Sequence, residues 1–449
     1  MLEQLFEQAV GFGLFWGIWL LVPLMIDVST TLVYLITFTF QDDKQEEMVE
    51  ELNFFPYVTM VVPVHDSAET LYKCLQSLAH QTYPIDCMEV ICVNNGSQDD
   101  SFDIFQKFHF EHPDMQVMWS SLDRAGKSIA LNAGIYSGQG TYMINVDADV
   151  WLDPEAVMNV VRTFEADITL VAATGAVRVD KVLGENSSFI DMINYCEVIE
   201  YLVAFDVGRR YQNMKNSLFT LSGAFSIFRR DILLQSFLYQ ERTVSEDTDL
   251  TFNIRKALGS SPGRIGFVSK SIAYVEAIES LGRLYSQRVR WQRGELEVMG
   301  ANYEKAPGII EAVQDFTGRI LISDHSIAFL RLSWTFLLPF MYFLGYPLPT
   351  IVIAMFGLFV CYMILEICAF SVAYRSSSPD YREELRRILW VIFFMPLYRY
   401  LTYWFRLAGI IMALTEPRSW KVRNPLEQVV SAFKDEYNTA RERIDKMRR

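Results

Sequence analysis

The sequence predicts an α/β domain carried between membrane-spanning helices. Three observations predict it. Short β-rich runs alternate with amphipathic runs through the middle of the chain, and apolar runs of bilayer length flank that region on both sides. The composition agrees, being 51% hydrophobic and only 21% charged over 449 residues. Crossing hydrocarbon as a helix takes about 20 apolar residues, and a shorter run reads as a core element.

The first flank is Val10–Phe40, almost unbroken in apolar character, with Asp27 as its only charge. It is too long for the core of a signal peptide, and the start Met-Leu-Glu-Gln is not basic, so the run is expected to be one uncleaved, tilted span. With the acidic linker up to residue 55 it forms the first predicted unit. Residues 56–300 follow as the α/β domain. Strands are expected at Val58–Val64, Glu89–Asn94, Gln116–Trp119, Tyr142–Val146 and Leu170–Val179. Helices are expected at Thr70–Gln81, Ser128–Tyr136 and Pro154–Phe164. Such alternation implies a parallel sheet. Asp66 to Glu69 has capping-box spacing, and Gly-Ser-Gln-Asp-Asp at 96–100 marks a helix start after a strand.

After a connector at 301–325, apolar runs return at Ser326–Gly345 and Tyr346–Ala373, with Gly345, Pro347 and Pro349 marking the turn between them. The next loop carries Arg375, Arg382, Arg386 and Arg387, which places it, and with it the 56–300 domain, in the cytoplasm. The run Ile388–Leu414 contains Pro396, Arg399 and Arg406 and precedes a basic tail at 415–449. A re-entrant or interface-lying helix pair suits it better than a crossing that would export that tail. Glu366, the one acid in a late span, is either functional or paired near the cytoplasmic end.

The net charge of -14, from 40 basic and 54 acidic residues, leaves no cationic excess for a nucleic-acid partner. Six cysteines make no CxxC pair and five scattered histidines add no zinc spacing. Free thiols and a reducing compartment around the central region follow.

The chemistry is expected in acidic pairs. Asn145-Val146-Asp147-Ala148-Asp149 ends a predicted strand, where i and i+2 side chains share a face. Two carboxylates there repel unless a cation lies between them, and oxygen ligands at the carboxyl end of a parallel strand suit Mg²⁺ or Mn²⁺ shared with phosphate oxygens. A calcium loop is excluded, since position six would be Leu152 and position twelve Met158. Ser245-Glu246-Asp247-Thr248-Asp249 opens a helix; its acids either answer the helix dipole or supply a general base. In Gln287-Arg288-Val289-Arg290-Trp291-Gln292-Arg293-Gly294, the residues Gln287, Arg290 and Trp291 share a helix face. A planar guanidinium suits a diphosphate and an indole suits a sugar ring, although a basic amphipathic helix on lipid headgroups has the same pattern. Gly126-Lys127-Ser128 is no P-loop, because Ser121 stands where its first glycine belongs, but Lys127 can counter a phosphate. Ser222-Gly223-Ala224-Phe225 offers small residues where backbone can approach a ligand.

In this order, Val93-Asn94-Asn95-Gly96-Ser97, Asp147/Asp149, Glu246-Asp247 and Gln287/Arg290/Trp291 between spans, the chain resembles the membrane-embedded family 2 glycosyltransferases. These include the cellulose, hyaluronan and poly-N-acetylglucosamine synthases. The run Val289–Val298 is similar to a subgroup associated with exosortase systems in Gram-positive bacteria. The resemblance implies a GT-A domain, a Rossmann-like mixed sheet with helices on both faces, inserted between transmembrane helices. It implies that Asp147 orients the donor, Asp149 binds Mg²⁺ or Mn²⁺, and Asp247 is the base, with Glu246 beside it. Gln287, Arg290 and Trp291 would close over the diphosphate and hold the acceptor. Val62, Pro63, Val64 and His65 would meet the uracil. Asn94-Asn95 departs from the family, which generally has an Asp in that pair, although an Asn carbonyl can accept from uracil N3–H.

The implied reaction is inverting transfer from a nucleotide-sugar, UDP-linked, to a growing glycan at the membrane, giving a β-linked envelope polysaccharide. The alternative is a single addition to a polyprenyl-phosphate carrier. The lipid bilayer and accessory export or synthesis subunits are the further partners considered. A binding scaffold with a decayed site has only Asn94-Asn95 in its favour, and a transporter would keep its polar groups near the bilayer midplane.

Overall fold

The computed structural model describes residues 22–40, 52–122, 124–181, 183–184, 188–259, 261–302 and 338–415. Its centre is an eight-stranded sheet of order β3-β2-β1-β4-β7-β6-β8-β5. The strands are β1 (Val58–Val64), β2 (Met88–Asn94), β3 (Gln116–Ser121), β4 (Tyr142–Val146), β5 (Val150–Leu152), β6 (Leu170–Asp180), β7 (Phe225–Arg229) and β8 (Arg264–Glu276). β1 is buried along its whole length, as a central strand covered on both faces must be. Val58, Met60, Val62 and Val64 enter one core with Leu71, Leu75 and Val157, whereas Val61 enters another with Ala130, Ile135 and Ile254. The period of two along the strand therefore sends side chains to opposite layers.

The first half of the sheet is parallel, as alternation with helices predicts: β1 pairs with β2 and β4, and β2 with β3. Beyond β4 the pairing changes direction, as the mixed sheet implied by the family resemblance requires. β7 runs antiparallel between β4 and β6, and β5 antiparallel to β8. The sheet is therefore mixed, as in the GT-A fold. The helices are α1 (Val22–Phe40), α2 (Leu71–Ala79), α3 (Ser101–Glu111), α4 (Lys127–Ser137), α5 (Ala156–Ala166), α6 (Phe189–Tyr201), α7 (Arg209–Met214), α8 (Arg230–Gln235), α9 (Glu246–Leu258), α10 (Leu281–Asn302), α11 (Leu348–Ser376), α12 (Pro379–Arg386) and α13 (Met395–Thr415). A π-helical segment, Leu202–Gly208, joins α6 to α7. The expected capping box at Asp66–Glu69 does not form. Thr70 is the N-cap of α2 and makes no side-chain cap bond, while Asp66 has φ 46° and accepts from Gln98 N at 2.7 Å.

A third core ties the sheet domain to the apolar helices. Ile193, Val198 and Leu284 pack with Phe370, Leu385, Val391 and Met395. Among the described residues α11 alone is long and apolar enough to cross a membrane, and only 17% of its most apolar window is buried. α12 and the segment Leu389–Thr415 pass the same test together but bend by 64° at their junction, as a broken span or a re-entrant loop does. Tyr362 OH on α11 donates to Asp27 on α1 at 3.1 Å. Glu366 on α11 is paired: Arg399 on α13 donates to it through Nε and, at 3.1 Å, through Nη2. Of the other predicted segments, residues 10–21, the linker at 41–51, most of Ser326–Gly345 and the tail after 415 lie outside the described residues.

Candidate active site

β4 ends at Val146 and β7 begins at Phe225, and the two residues are register partners. Because β7 is antiparallel, the chain leaving β4 and the chain arriving at β7 share one edge of the sheet. Asp147 and Gly223 therefore meet without any long connection. The N-terminus of α9 comes to the same edge, and Asp247 Oδ2 accepts from Gly223 N at 3.0 Å. α4 contributes Lys127, whose Nζ lies 2.7 Å from Asp147 Oδ1 and 3.2 Å from Glu246 Oε1. A Cβ placed on Gly223 would stand 3.5 Å from Asp247 Oδ2, 3.5 Å from Lys127 Nζ and 3.7 Å from Asp147 Oδ2. The three charged groups thus surround one point, and the glycine keeps that point open.

The electrostatics follow from crowding. Burial pushes the Asp147 carboxyl up to about 6; Lys127 opposes that rise, and Asp149 and Glu246 add to it. Asp247 is also raised, first by burial and then by Glu246, against the pull of Lys127 and of the N–H groups of Thr248 and Gly223. Burial disfavours the Lys127 ammonium, but Asp147 and Glu246 outweigh it and hold the ammonium charged. A raised carboxylate held by backbone N–H groups beside a fixed ammonium is an arrangement able to accept a proton.

Asp147 and Asp149 do not end β4 side by side as the strand pattern predicts. The strand stops at Val146, and Val150 N donates to Asp147 O at 3.0 Å, so the pair sits in a tight turn. Asp147 points to Lys127, whereas Asp149 is exposed. Among the described residues no group of three or more His, Cys, Asp or Glu side chains could hold a metal ion. A divalent ion carried by a diphosphate needs only one or two protein carboxylates, since phosphate and water oxygens complete its shell. Asp149, an exposed oxygen donor whose charge acts on Asp147, fits that demand.

The other predicted residues fall around this centre. Pro63 and Val64 are buried in β1, so their side chains are core and only backbone or His65 faces outward at that strand end. Asn94 Oδ1 accepts from Ser97 N at 2.9 Å, and Asn95, nearly buried, accepts from Gly126 N, holding the segment before Lys127. Gln287, Arg290 and Trp291 lie on α10. Gln287 Nε2 reaches Tyr201 OH at 3.5 Å, and the Trp291 ring packs on Tyr201 and Phe205 with centroids 6.2 and 5.7 Å away. The structure therefore brings together Asp147, Lys127, Gly223, Glu246 and Asp247, and seats Gln287 and Trp291 against α6 and the π-helical segment.

Three contributors have weak sequence signals. Tyr239 OH accepts from Asn145 Nδ2 behind the acids, and its backbone is held by Asn132 through bonds of 2.8 and 3.1 Å. Arg209 is buried, donating to Gly175 O at 3.4 Å, and burial lowers it to about 10 while the Asp247 charge opposes that fall. Arg288, inside the α10 motif but off the predicted face, pairs with Glu200 at 2.6 Å and Glu197 at 3.3 Å and donates to Tyr398 OH at 3.0 Å. The Ala-Leu-Asn-Ala run could have pointed to Asn132 as a loop holder; nothing in the sequence pattern marks Arg209.

The fold is of the GT-A kind. Residues 59–237 match the model of glycosyl transferase family 2, and the chain carries a family 2 glycosyltransferase domain. It is 26% identical over 242 residues to the poly-beta-1,6-N-acetyl-D-glucosamine synthases of Staphylococcus epidermidis and Staphylococcus aureus strain COL. That match covers 54% of this chain and 55% of theirs, so the chain spans about half the length of the curated relatives it matches. Among solved structures it is similar to the mannosyltransferase PcManGT from Pyrobaculum calidifontis, in complex with GDP-Man and Mn²⁺, with TM-score 0.53 and 16% identity over 88% of this chain and 99% of that one.

Proposed function

We propose that this enzyme moves a sugar from a nucleoside diphosphate, UDP by preference, to a growing glycan at the membrane with inversion, building a β-linked polysaccharide. The observation that carries the reading is the convergence of Asp147, Lys127 and Asp247 about Gly223. The poly-N-acetylglucosamine synthases it resembles support the polymer, and the GDP-Man and Mn²⁺ complex of the Pyrobaculum calidifontis mannosyltransferase supports a nucleotide-sugar with a divalent ion. Mg²⁺ or Mn²⁺, held by Asp149, would neutralise charge on the leaving diphosphate. Asp147 orients the donor sugar and Lys127 offers its ammonium to the phosphates. Asp247 takes the proton of the acceptor hydroxyl while that oxygen forms its bond to the anomeric carbon. The bond from that carbon to the phosphate oxygen breaks on the opposite face, and the diphosphate leaves with the electron pair. Pro63, Val64, Asn94 and Asn95 border the base end through the loops they hold, and Gln287, Arg290 and Trp291 stand on the acceptor side.

The domain is read as cytoplasmic, between spans of a multi-pass membrane protein. The exposed apolar surface of α11 and the basic loop with Arg375, Arg382 and Arg386 support that orientation. The test is Asp247→Asn in membranes, read as nucleoside diphosphate release over a panel of donors. Turnover should fall by about 100-fold or more with nucleotide binding retained. Undiminished release would remove Asp247 as the base, and sizing of the product separates polymer from single addition.

A further inference from the structure

The acid-bearing turn is anchored from outside the site. Ser245 is the N-cap of α9, yet its side chain makes no cap hydrogen bond. The segment leans instead on α10. Gly294 lies so close to Ser245 that a Cβ there would overlap Ser245 Oγ and stand 2.7 Å from Ser245 Cβ and 3.1 Å from its N. One turn further along, Glu297 Oε2 accepts from Val244 N at 3.0 Å, and Glu297 Oε1 accepts from the fully buried Arg293 at 2.9 Å. Residues 294 and 297 share a face of α10. Elsewhere α10 lies on α13. A Cβ on Gly409 would stand 2.9 Å from both Gln292 Cβ and Val289 O, and Arg406 Nε donates to Gln292 Oε1 at 2.6 Å. α13 lies within the longer arm, Leu389–Thr415, of the bent apolar pair.

We propose that the Gly294–Ser245 contact and the Glu297–Val244 hydrogen bond position Asp247, so that the helices beside the membrane set where the base stands. This rests on the reading of Asp247 as base. Asp247 is two residues beyond Ser245, and its oxygens are aligned by the N–H groups of Gly223 and Thr248 at 3.0 and 2.7 Å. Shifting the turn to admit a methyl group on Gly294 breaks that alignment. A misplacement of about 1 Å costs on the order of 100-fold in rate. Gly294 is a positioning residue and touches no substrate.

The experiment uses the full chain in membranes and reads nucleoside diphosphate release from UDP-sugars. Gly294→Ala should lower kcat by about 100-fold and leave donor KM within about two-fold. Adding Ser245→Gly removes the Oγ and Cβ that the new methyl would meet, and glycine is well tolerated at an N-cap. The double variant should regain most of the lost kcat, and a melting temperature equal to the parent's in Gly294→Ala separates a misplaced base from a general loss of stability. Full turnover in Gly294→Ala overturns the proposal. So does a loss that Ser245→Gly fails to restore while both variants melt with the parent. If Gly294→Ala keeps its turnover while Asp247→Asn loses it, the positioning contact fails and the base stands. If Asp247→Asn keeps its turnover while Gly294→Ala loses it, the base assignment fails instead.

Discussion

Arg288→Met removes the guanidinium that joins α6, α10 and α13. Arg288 is 3% exposed and sits between Glu200, at 2.6 Å, and Glu197, at 3.3 Å. Taking away one partner of a buried ion pair costs about 3–5 kcal/mol, because the remaining charge is stranded. Near 2–4 °C per kcal/mol for a domain of this size, the melting temperature should fall by about 10 °C. The pH dependence carries a sign. Burial pushes Glu197 up to about 8, with Arg288 opposing the rise. A carboxyl raised in the folded state binds its proton more tightly there than in the unfolded chain. Its contribution to stability is complete at low pH and is lost as pH climbs through about 8. Without Arg288 the Glu197 carboxyl rises further, so the deficit of the variant should widen above pH 8. The widening is about 1.4 kcal/mol for each pH unit over which only the variant keeps the proton. Tryptophan-fluorescence melts of detergent-solubilised protein at pH 6.5 and 9 would measure both effects, and Glu200→Gln in the same background should recover part of the loss. A drop under about 2 °C, or a deficit that narrows as pH rises, would refute this account of the cluster.

Two further outcomes follow from the site. Gly223→Ala should fold normally, since its Cβ would meet neighbours at ordinary contact distances of 3.5 to 3.7 Å, but the methyl fills the point the charged groups surround. Donor KM should rise by about ten-fold or more, and an unchanged KM would show that no substrate enters there. Chelation should abolish sugar transfer and added Mg²⁺ or Mn²⁺ restore it, while Asp149→Ala should raise the metal concentration needed for half-maximal rate; activity indifferent to chelator would exclude Asp149 as a metal ligand.

Much of the parallel half of the sheet was legible in sequence. β1 and β4 coincide with their predicted bounds because each is an apolar run closed by polar residues. In the second half only β6 was, expected at Leu170–Val179 and found at Leu170–Asp180. β5 has only three residues, β7 lay hidden in a run of small residues, and β8 carries Ser269, Lys270 and Ser271 in its middle where a register shift breaks the period. The acids at 147, 246 and 247 were legible as residue types at a strand end and a helix start. That Lys127 would bind two of them was not, because the contact joins segments 20 and 119 residues apart in sequence number. Glu366 was legible as an acid needing a partner, but only packing of α11 on α13 could name Arg399. The failed capping box at Asp66 has a local cause: with φ at 46° the residue belongs to the loop and bonds across to Gln98.

The seating of α10 on α13 also decides how the enzyme can be dissected. A soluble fragment ending at Asn302 would retain every acid of the site yet strip away Tyr398, Arg406 and Gly409, baring the buried Arg288 and Gln292 to water. Inhibitor screens run on such a truncation would sample a crevice whose roof had lost its rafters. Compounds selected there would be matched to a shape that the intact polypeptide does not present.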